Sequence, residues 1–192
     1  MPAVDLIRHG QSTFNEAYAA TGVDPLHFDA RLTTLGRQQV AEARELLAGR
    51  AYDLVVTSPL TRAIETATGV FGGRGIPILV EHLHREGLES SCDVGRPPAA
   101  LRGEFPHLTF DHLPDVWWHD EGERDPRGFA IETRELVGAR AAAFALWLET
   151  RPERSIAVVG HGTFFFHMLG RWLKNCEVAP WTPQALDMAA AG

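Results

Sequence analysis

VDLIRHG, residues 4–10, is a short apolar run that ends abruptly in a cation, an imidazole and a glycine. The apolar residues predict a buried strand, and open α/β sheets bind their ligands beyond the C-terminal ends of the strands. Arg8 and His9 at such an end suit a site where an anion meets a nucleophile or a base. The same residues also fit a strand that simply ends in polar residues, with His9 capping a turn.

The remainder of the chain alternates predicted strands and helices. Apolar runs predict strands at 4–8, 53–57, 76–80 and 155–159, and helical periodicity predicts helices at 33–47, 60–70, 132–148 and 163–173. Thr33 or Thr34 is the expected N-cap of the first helix, and residues 11–31 are expected to be irregular. Strands separated by helices indicate a parallel sheet with right-handed crossovers. The predicted α/β fold is a three-layer α/β/α sandwich with a mainly parallel central sheet, in a single domain over residues 1–192.

Residues 86–131 break this alternation. The segment contains several prolines, two adjacent tryptophans and many acidic residues. A stretch of this length without regular structure is typical of a lid or a binding insertion, and its aromatic residues argue against disorder. We expect it to be a cap inserted over the functional site. Its Arg96, Arg102, Trp117 and Trp118 are candidate contacts for a ligand or plain cap surface.

Composition and charge argue against several classes of protein. The chain carries 25 acidic and 18 basic side chains and a net charge of −7, without a basic block, which disfavours a nucleic-acid surface. No apolar run approaches the ~20 residues that span a bilayer, and charges interrupt the N-terminal apolar stretch too early for a signal peptide. Two cysteines are too few for a disulfide framework or a cysteine zinc site. We expect a cytoplasmic protein that binds neither nucleic acid nor membrane.

Polar residues also follow two further predicted strands. Ser58 to Arg62 follow the second strand, and Gly160-His161-Gly162 follow the last. Since the C-terminal ends of parallel strands open on the same edge of a sheet, these residues can converge with the first strand end. Two arginines and two histidines around one point form a pocket for a phosphoryl dianion, in which a neutral imidazole can attack phosphorus. Taken singly, Arg62 also fits an exposed helix cation, and His161 fits a core histidine.

Four motifs occur along the chain in a specific order. They are Leu6-Ile7-Arg8-His9-Gly10-Gln11-Ser12 with Asn15, Leu32-Thr33-x-x-Gly36-x-x-Gln39, Ser58-Pro59-Leu60-x-Arg62-Ala63 with Thr66-Ala67, and Val158-Val159-Gly160-His161-Gly162. Each motif is weak alone, but together they cover most of the chain. In this order and spacing they resemble the histidine phosphatase superfamily, the phosphoglycerate mutase-like proteins.

The resemblance implies a role for each matched residue. His9 would be the nucleophile that becomes phosphorylated. Arg8, Arg62 and His161 would form the phosphate pocket, and His161 would also take part in catalysis. Asn15 stands where many relatives add a phosphate contact, although it also fits an ordinary loop asparagine. The implied chemistry needs neither a metal ion nor a cofactor.

In relatives the proton donor is usually a glutamate shortly after the third strand. Glu86 stands at that place, and Glu89 is the alternative because a small alignment shift exchanges them. The string from Glu89 to Arg96 departs from the better-known branches of the superfamily, so the identity of the substrate stays open. Cys92 within it fits a buried structural cysteine or a reactive thiol.

The resemblance leads to one favoured function and two alternatives. We expect metal-independent hydrolysis of a phosphomonoester through a phosphohistidine on His9, with Glu86 as acid and then as base. The alternatives are a phosphoglycerate mutase-type transfer between hydroxyls and a phospho-ligand binding module without catalysis. A metal hydrolase is disfavoured because the other histidines lack metal-ligand spacing. The expected partner is a small phosphorylated substrate, and the apolar last helix is compatible with a homodimer.

Overall fold

The computed structural model describes residues 2–182, and a five-stranded sheet lies at the centre of this part of the chain. The strands, in chain order, are β1 (Ala3–Arg8), β2 (Leu54–Thr57), β3 (Ile78–Val80), β4 (Ser155–Gly160) and β5 (Val178–Trp181). Their order across the sheet is β3-β2-β4-β1-β5, and all neighbours are parallel except β5, which runs antiparallel to β1. The predicted mainly parallel sheet is confirmed, with β5 as an additional edge strand. Residue 1 and residues 183–192, which the predicted domain includes, lie outside the described range.

Residues 2–182 contain six α-helices, four of which cover the faces of the sheet. They are α1 (Thr13–Thr21), α2 (Thr34–Leu46), α3 (Thr61–Phe71), α4 (Pro98–Glu104), α5 (Arg134–Glu149) and α6 (Gly162–Leu169). Leu6 of β1 belongs to the apolar cluster with α5 and α6, whereas its neighbour Ile7 belongs to the cluster with α2 and α3. Both faces of the sheet are therefore covered, which confirms the three-layer sandwich. No helix in the described range is both long and apolar enough to cross a membrane.

Residues 11–31 are less irregular than predicted. The helix α1 begins after Ser12 with a capping box, in which the Asn15 N–H donates to the Ser12 hydroxyl and the Asn15 side chain accepts the Ser12 N–H. The Ser12-x-x-Asn15 spacing in the sequence indicates such a capping box. Gly22 ends the helix in the left-handed conformation, at φ 67°. The expectation of an irregular segment is therefore wrong for its first half.

The last helix is shorter than predicted. It ends at Leu169 rather than at residue 173, because Gly170 adopts a left-handed φ of 67° and closes the helix. Phe164 and Phe165 are fully buried, whereas Phe166 is 36% exposed. The helix is thus buried on one side only, and the homodimer stays a prediction.

The cap segment, residues 86–131, is ordered around an apolar cluster of its own. Phe110 and Trp117 are buried in this cluster together with apolar residues of α3 and β3. The segment contains a 3₁₀ turn (Ser91–Asp93) and the short helix α4. Its first residues, 86–93, approach the ends of the strands, whereas α4 and the residues after it pack against α3 and β3.

The C-terminal ends of β1, β2 and β4 lie side by side. The His9 N–H donates to the Gly160 carbonyl at 3.0 Å, and the Ser58 N–H donates to the Val159 carbonyl at 3.2 Å. These bonds continue the parallel pairing just past the strands. The polar residues that follow the three strands therefore meet at one edge of the sheet, as the sequence predicts.

A close backbone contact fixes the loop after β1. A Cβ atom on Gly36 would lie 2.1 Å from the Gln11 carbonyl oxygen, and one on Gly10 would lie 2.7 Å from the Gly36 carbonyl oxygen. Thr33, the N-cap of α2, donates its hydroxyl to Gln11 Oε1 at 2.7 Å, and Gln39 accepts the Gln11 N–H at 2.8 Å. No side chain fits between the two turns, so both positions require glycine. The bonds of Thr33 and Gln39, two residues of the second sequence motif, to Gln11 hold the loop in place.

Candidate active site

A cavity of about 130 Å³ opens where the three strand ends meet. The residues that line it include Arg8, His9, Asn15, Arg62, Glu86 and Glu89. The ring of His161 lies beside it, with its centre 5.3 Å from that of the His9 ring. The structure thus brings together the residues to which the resemblance gives a role, and these roles stay predictions: His9, Glu86, His161, Arg8, Asn15 and Arg62.

The His9 imidazole is held as one neutral tautomer. Its Nδ1 lies 2.7 Å from the Gly10 carbonyl oxygen, which can only accept, so Nδ1 carries the proton. Its Nε2 lies 3.2 Å from Arg62 Nε, which can only donate, so Nε2 carries the lone pair. Burial lowers the pKa of His9 well below its ordinary value of 6.5, and the charges of Arg62 and Arg8 lower it further. At neutral pH the ring therefore has an unprotonated nitrogen at the cavity.

Arg62, in the first turn of α3, is buried and uses all three nitrogens of its guanidinium group. Its Nη1 donates to the Cys92 carbonyl at 2.6 Å, its Nη2 donates to Asp93 Oδ1 at 2.9 Å, and its Nε donates to His9. The Thr66 hydroxyl donates to the Arg62 carbonyl and accepts an N–H of the loop after β1. A cation is therefore fixed beside Nε2 of His9.

Arg8 and His161 have polar atoms that are buried and unpartnered. Arg8 Nη1 donates to the Leu173 carbonyl at 2.6 Å, but Arg8 Nε has no partner among residues 2–182. The His161 ring is fully buried, and neither of its nitrogens has a partner in the same range. Burial lowers the pKa of His161 well below 6.5, and the charge of Arg62 adds to this effect. Because folded proteins rarely leave buried polar groups unsatisfied, these atoms are suited to a bound anion.

The Glu86 carboxylate lies at the N-terminus of α6. Its Oε2 accepts the Thr163 N–H at 3.0 Å, and its Oε1 accepts the Phe164 N–H at 2.9 Å and the Gly87 N–H at 3.0 Å. The positive end of the helix dipole favours a negative charge at this place. Glu89, the alternative proton donor, is exposed at the mouth of the cavity. Three N–H groups thus hold the Glu86 carboxylate in one position, whereas the Glu89 side chain is exposed.

Asn15 lines the cavity from α1. Its Oδ1 accepts the Ser12 N–H at 3.1 Å, so its amide nitrogen is the end that is free to meet a ligand. An amide N–H₂ group is a donor and suits an anion.

Asp93 is a site residue that the sequence analysis missed. Besides its bond to Arg62, it accepts the Ser90 N–H at 3.1 Å and the Glu89 N–H at 3.3 Å. Burial raises the pKa of Asp93 to about 6, against the opposite effect of Arg62, so the ion pair is formed at neutral pH. The Ser90-x-x-Asp93 spacing is typical of a capping box and could have indicated this residue.

Cys92 is a buried neighbour of this ion pair. Its side chain is 6% exposed, and burial raises the pKa of its thiol, with a further contribution from the charge of Asp93. A thiol that stays protonated is a poor nucleophile. The structure therefore favours the structural cysteine over the reactive thiol.

Arg96, Arg102, Trp117 and Trp118 do not line the cavity. Arg96 donates to Asp29 at 2.6 Å and to Glu104 at 2.9 Å, and the Trp117 indole N–H donates to the Arg96 carbonyl at 2.8 Å. Arg96 and Trp117 therefore bond within the cap segment, and Arg96 also joins this segment to Asp29, which precedes α2. Among residues 2–182, no three His, Cys, Asp or Glu side chains are grouped as metal ligands.

The four motifs and the elements that carry them match a known family. The family model of the histidine phosphatase superfamily (branch 1) matches residues 4–190. The chain belongs to this superfamily. The resemblance drawn from the motifs is thereby confirmed.

Relatives of this superfamily member cover most of the chain. Phosphoglycerate mutase-like protein 1 of Arabidopsis thaliana is 31% identical over 210 residues, which are 90% of this chain and 72% of that protein. A glucosyl-3-phosphoglycerate phosphatase of Mycobacterium tuberculosis is 28% identical over 177 residues, which are 92% of this chain and 77% of that protein. Among solved structures, YhfR of Bacillus stearothermophilus has a TM-score of 0.64 at 23% identity and covers 94% of this chain and 90% of its own. This similarity confirms the predicted fold.

A further buried histidine, His84, is expected to make the free energy of unfolding depend on pH. Its Nε2 donates to the Val159 carbonyl at 3.1 Å, and burial lowers its pKa to about 4. Such a group contributes stability above pH 6.5 that is lost as the pH falls towards 4, by about 1.4 kcal/mol per pH unit. We therefore expect His84→Leu to destabilise the protein at pH 7.5, with a difference from wild type that shrinks by about 1.4 kcal/mol at pH 5.5.

Urea unfolding of both proteins at pH 7.5, 6.5 and 5.5 measures this difference in the free energy of unfolding. His107→Leu is the matched control, because His107 is exposed in the folded protein and its replacement removes an imidazole while leaving the buried surroundings of His84 intact. A His84→Leu difference that stays constant over this range contradicts the prediction.

Proposed function

We propose that the chain is a metal-independent phosphatase that hydrolyses a phosphomonoester through a phosphohistidine intermediate on His9. The observation that carries the proposal is the tautomer of His9, whose unprotonated Nε2 lies at a small cavity lined by two arginines and Glu86. A neutral imidazole is the form that can attack phosphorus and divide the hydrolysis into two easier steps.

In the first step, Nε2 of His9 attacks the phosphorus atom, and the bond between phosphorus and the ester oxygen breaks. Glu86, as a carboxylic acid, gives its proton to the departing oxygen, so the leaving group departs as an alcohol. This step requires Glu86 to enter as the acid and leaves it as the carboxylate. In the free protein the Arg62 Nε–H donates to Nε2 of His9. With the phosphoryl group bound, this N–H would donate to a phosphoryl oxygen instead.

In the second step, the Glu86 carboxylate takes a proton from a water molecule whose oxygen attacks phosphorus. The bond between phosphorus and Nε2 breaks, and the products are inorganic phosphate, neutral His9 and protonated Glu86. One carboxylate thus acts as acid and then as base, which requires it to stay in one place through both steps.

Four groups would donate hydrogen bonds to the phosphoryl oxygens. Arg8 Nε and the His161 ring are buried without partners among the described residues, and Asn15 lines the same cavity. Together with Arg62 they would surround the oxygens whose charge must be stabilised in the transition state. Preorganised donors of this kind contribute about 10²- to 10³-fold each to the rate in other enzymes.

The size of the cavity suits the phosphoryl group rather than a whole substrate. Its volume of about 130 Å³ is smaller than the ~300–1,000 Å³ of pockets that enclose small-molecule ligands. The leaving group would therefore extend past the exposed Glu89 towards solvent. A small phosphorylated substrate fits this arrangement, and the phosphatase name of the mycobacterial relative supports hydrolysis.

Trapping of the intermediate tests the proposal. Phosphohistidine survives alkali and is lost in acid, so an alkaline quench after mixing with a labelled aryl phosphate should yield labelled protein and free labelled phosphate. Peptide mass spectrometry should locate the label on His9. Transfer of phosphate to another hydroxyl in place of release would indicate a mutase. Binding of the ligand with neither labelled protein nor free phosphate would indicate a binding module, and either result overturns the proposal.

A further inference from the structure

Arg140, on α5, is a buried arginine that holds the loop bearing Glu86. Its Nη1 donates to the Arg85 carbonyl at 2.6 Å and to the Leu83 carbonyl at 2.9 Å. Its Nη2 donates to the Glu86 carbonyl at 3.3 Å. Three carbonyls within four residues thus meet one guanidinium group, which fixes the path of the backbone between β3 and the cavity.

A buried carboxylate keeps Arg140 in this place. Glu132 accepts from Arg140 Nε at 2.9 Å and from Nη2 at 2.7 Å, and this two-point pairing sets the plane of the guanidinium group. Glu132 is 4% exposed and Arg140 is 9% exposed, so solvent does not weaken the pair. Lysine cannot reproduce a bidentate contact of this kind.

The same guanidinium group also packs on the helix that receives the Glu86 carboxylate. The Arg140 Cζ lies 5.0 Å from the centre of the Phe164 ring, and the Phe164 N–H is one of the donors to Glu86. Arg140 therefore contacts both parts of the Glu86 environment, the loop that bears the side chain and the helix terminus that holds it. Arg140 itself lies behind the wall of the cavity and does not line it.

We propose that Arg140 is a positioning residue that aligns the Glu86 carboxyl group with the oxygen of the leaving group. The inference rests on the proposed function, in which Glu86 protonates that oxygen. A displacement on the order of 1 Å in a reacting group costs about 10²-fold in rate, so a residue that never touches the substrate can govern the proton transfer. Arg8, Arg62 and His161 would bind the phosphoryl group. This binding does not depend on Arg140.

Substrates whose leaving groups differ in acidity distinguish a positioning role of Arg140 from a general loss of structure. A nitrophenolate departs without a proton, whereas the alkoxide of benzyl phosphate needs one. The ratio kcat/KM reports the phosphorylation step and not the later hydrolysis, so it isolates this proton transfer. We expect Arg140→Lys to lower kcat/KM for benzyl phosphate by about 10- to 100-fold. For 4-nitrophenyl phosphate we expect a loss of less than about 3-fold.

Arg44→Lys is the matched control. Arg44 also donates to three backbone carbonyls, those of Gly69 at 3.0 Å, Val70 at 3.4 Å and Gly72 at 3.0 Å. These carbonyls lie at the end of α3 away from Arg62, so we expect the loss of their partner to affect both substrates equally or not at all.

A second variant addresses folding. Removal of one partner of a buried ion pair is strongly destabilising when it leaves an unpaired charge. Glu132 also accepts from Arg85 Nη2 at 3.3 Å, so Arg140→Met leaves this carboxylate with a cationic partner. Arg140→Met removes the guanidinium group together with its bonds to the carbonyls, and we expect it to show the same selective loss on benzyl phosphate.

Glu86→Gln serves as the reference for these measurements. A selective loss in Glu86→Gln without one in the Arg140 variants overturns the inference and leaves the proposed function in place. Equal losses on both substrates in the Arg140 variants overturn it as well. If Glu86→Gln itself shows no selective loss, the assignment of Glu86 in the proposed function fails, and the inference fails with it.

Discussion

His9→Ala is expected to lower kcat for 4-nitrophenyl phosphate by at least about 10³-fold while the protein stays folded. In the proposed mechanism, His9 supplies the atom that would bond to phosphorus. Its removal leaves Arg62 bonded to Asp93 at 2.9 Å and to the Cys92 carbonyl at 2.6 Å, so the cation stays in place. Steady-state release of nitrophenolate measures the loss, and urea unfolding checks the fold.

His107→Ala is the control for His9→Ala. His107 is exposed, so its replacement should change kcat by less than about 3-fold. Free imidazole added to His9→Ala is expected to restore part of the activity, because it can occupy the vacated volume and attack phosphorus. A His9→Ala protein that keeps activity within about tenfold of wild type would falsify the phosphohistidine mechanism.

Glu86→Gln is expected to lower kcat/KM for benzyl phosphate by about 10²- to 10⁴-fold and to spare 4-nitrophenyl phosphate. Glutamine has nearly the same shape but no acidic proton to give to an alkoxide, whereas a nitrophenolate leaves without one. The amide N–H₂ group would also face one of the N–H donors of Gly87, Thr163 and Phe164. We therefore expect a loss of about 1–3 kcal/mol in the free energy of unfolding.

Glu89→Gln is the control for Glu86→Gln, three residues away and exposed at the same cavity. We expect it to change kcat/KM for both phosphates by less than about 3-fold. The opposite pattern, with the selective loss in Glu89→Gln, would move the role of acid to Glu89.

The parts of the fold that local patterns signal could be predicted from the sequence. The helices that begin at Thr34 and Arg134 and the strand that begins at Ser155 all start within two residues of their predicted positions. The two helices have a helical apolar period and a threonine N-cap, and the strand is a continuous apolar run. The C-terminal ends of parallel strands meet at one edge of a sheet, which predicts that Arg8, His9 and Arg62 lie close together.

The missed features depend on contacts between distant parts of the chain. β5 is four residues long, contains Pro180 and pairs with β1 at the edge of the sheet, so its own sequence gives no clear strand signal. Asp93 acquires its role from Arg62, which is 31 residues away. The choice between Glu86 and Glu89 depends on N–H groups that lie 77 and 78 residues along the chain. Spacing within the sequence cannot supply any of these contacts.

The partner of His9 Nδ1 also bears on how the proposed intermediate breaks down. That partner, at 2.7 Å, is the neutral carbonyl of Gly10 rather than a carboxylate. A carboxylate partner raises the basicity of an imidazole, so a ring paired with a carbonyl is the weaker base. A weaker base is a better leaving group, which favours cleavage of the bond between phosphorus and nitrogen when water attacks. In the proposed mechanism, a backbone oxygen would thus set the lifetime of the phosphorylated protein, and no change of side chain removes that oxygen.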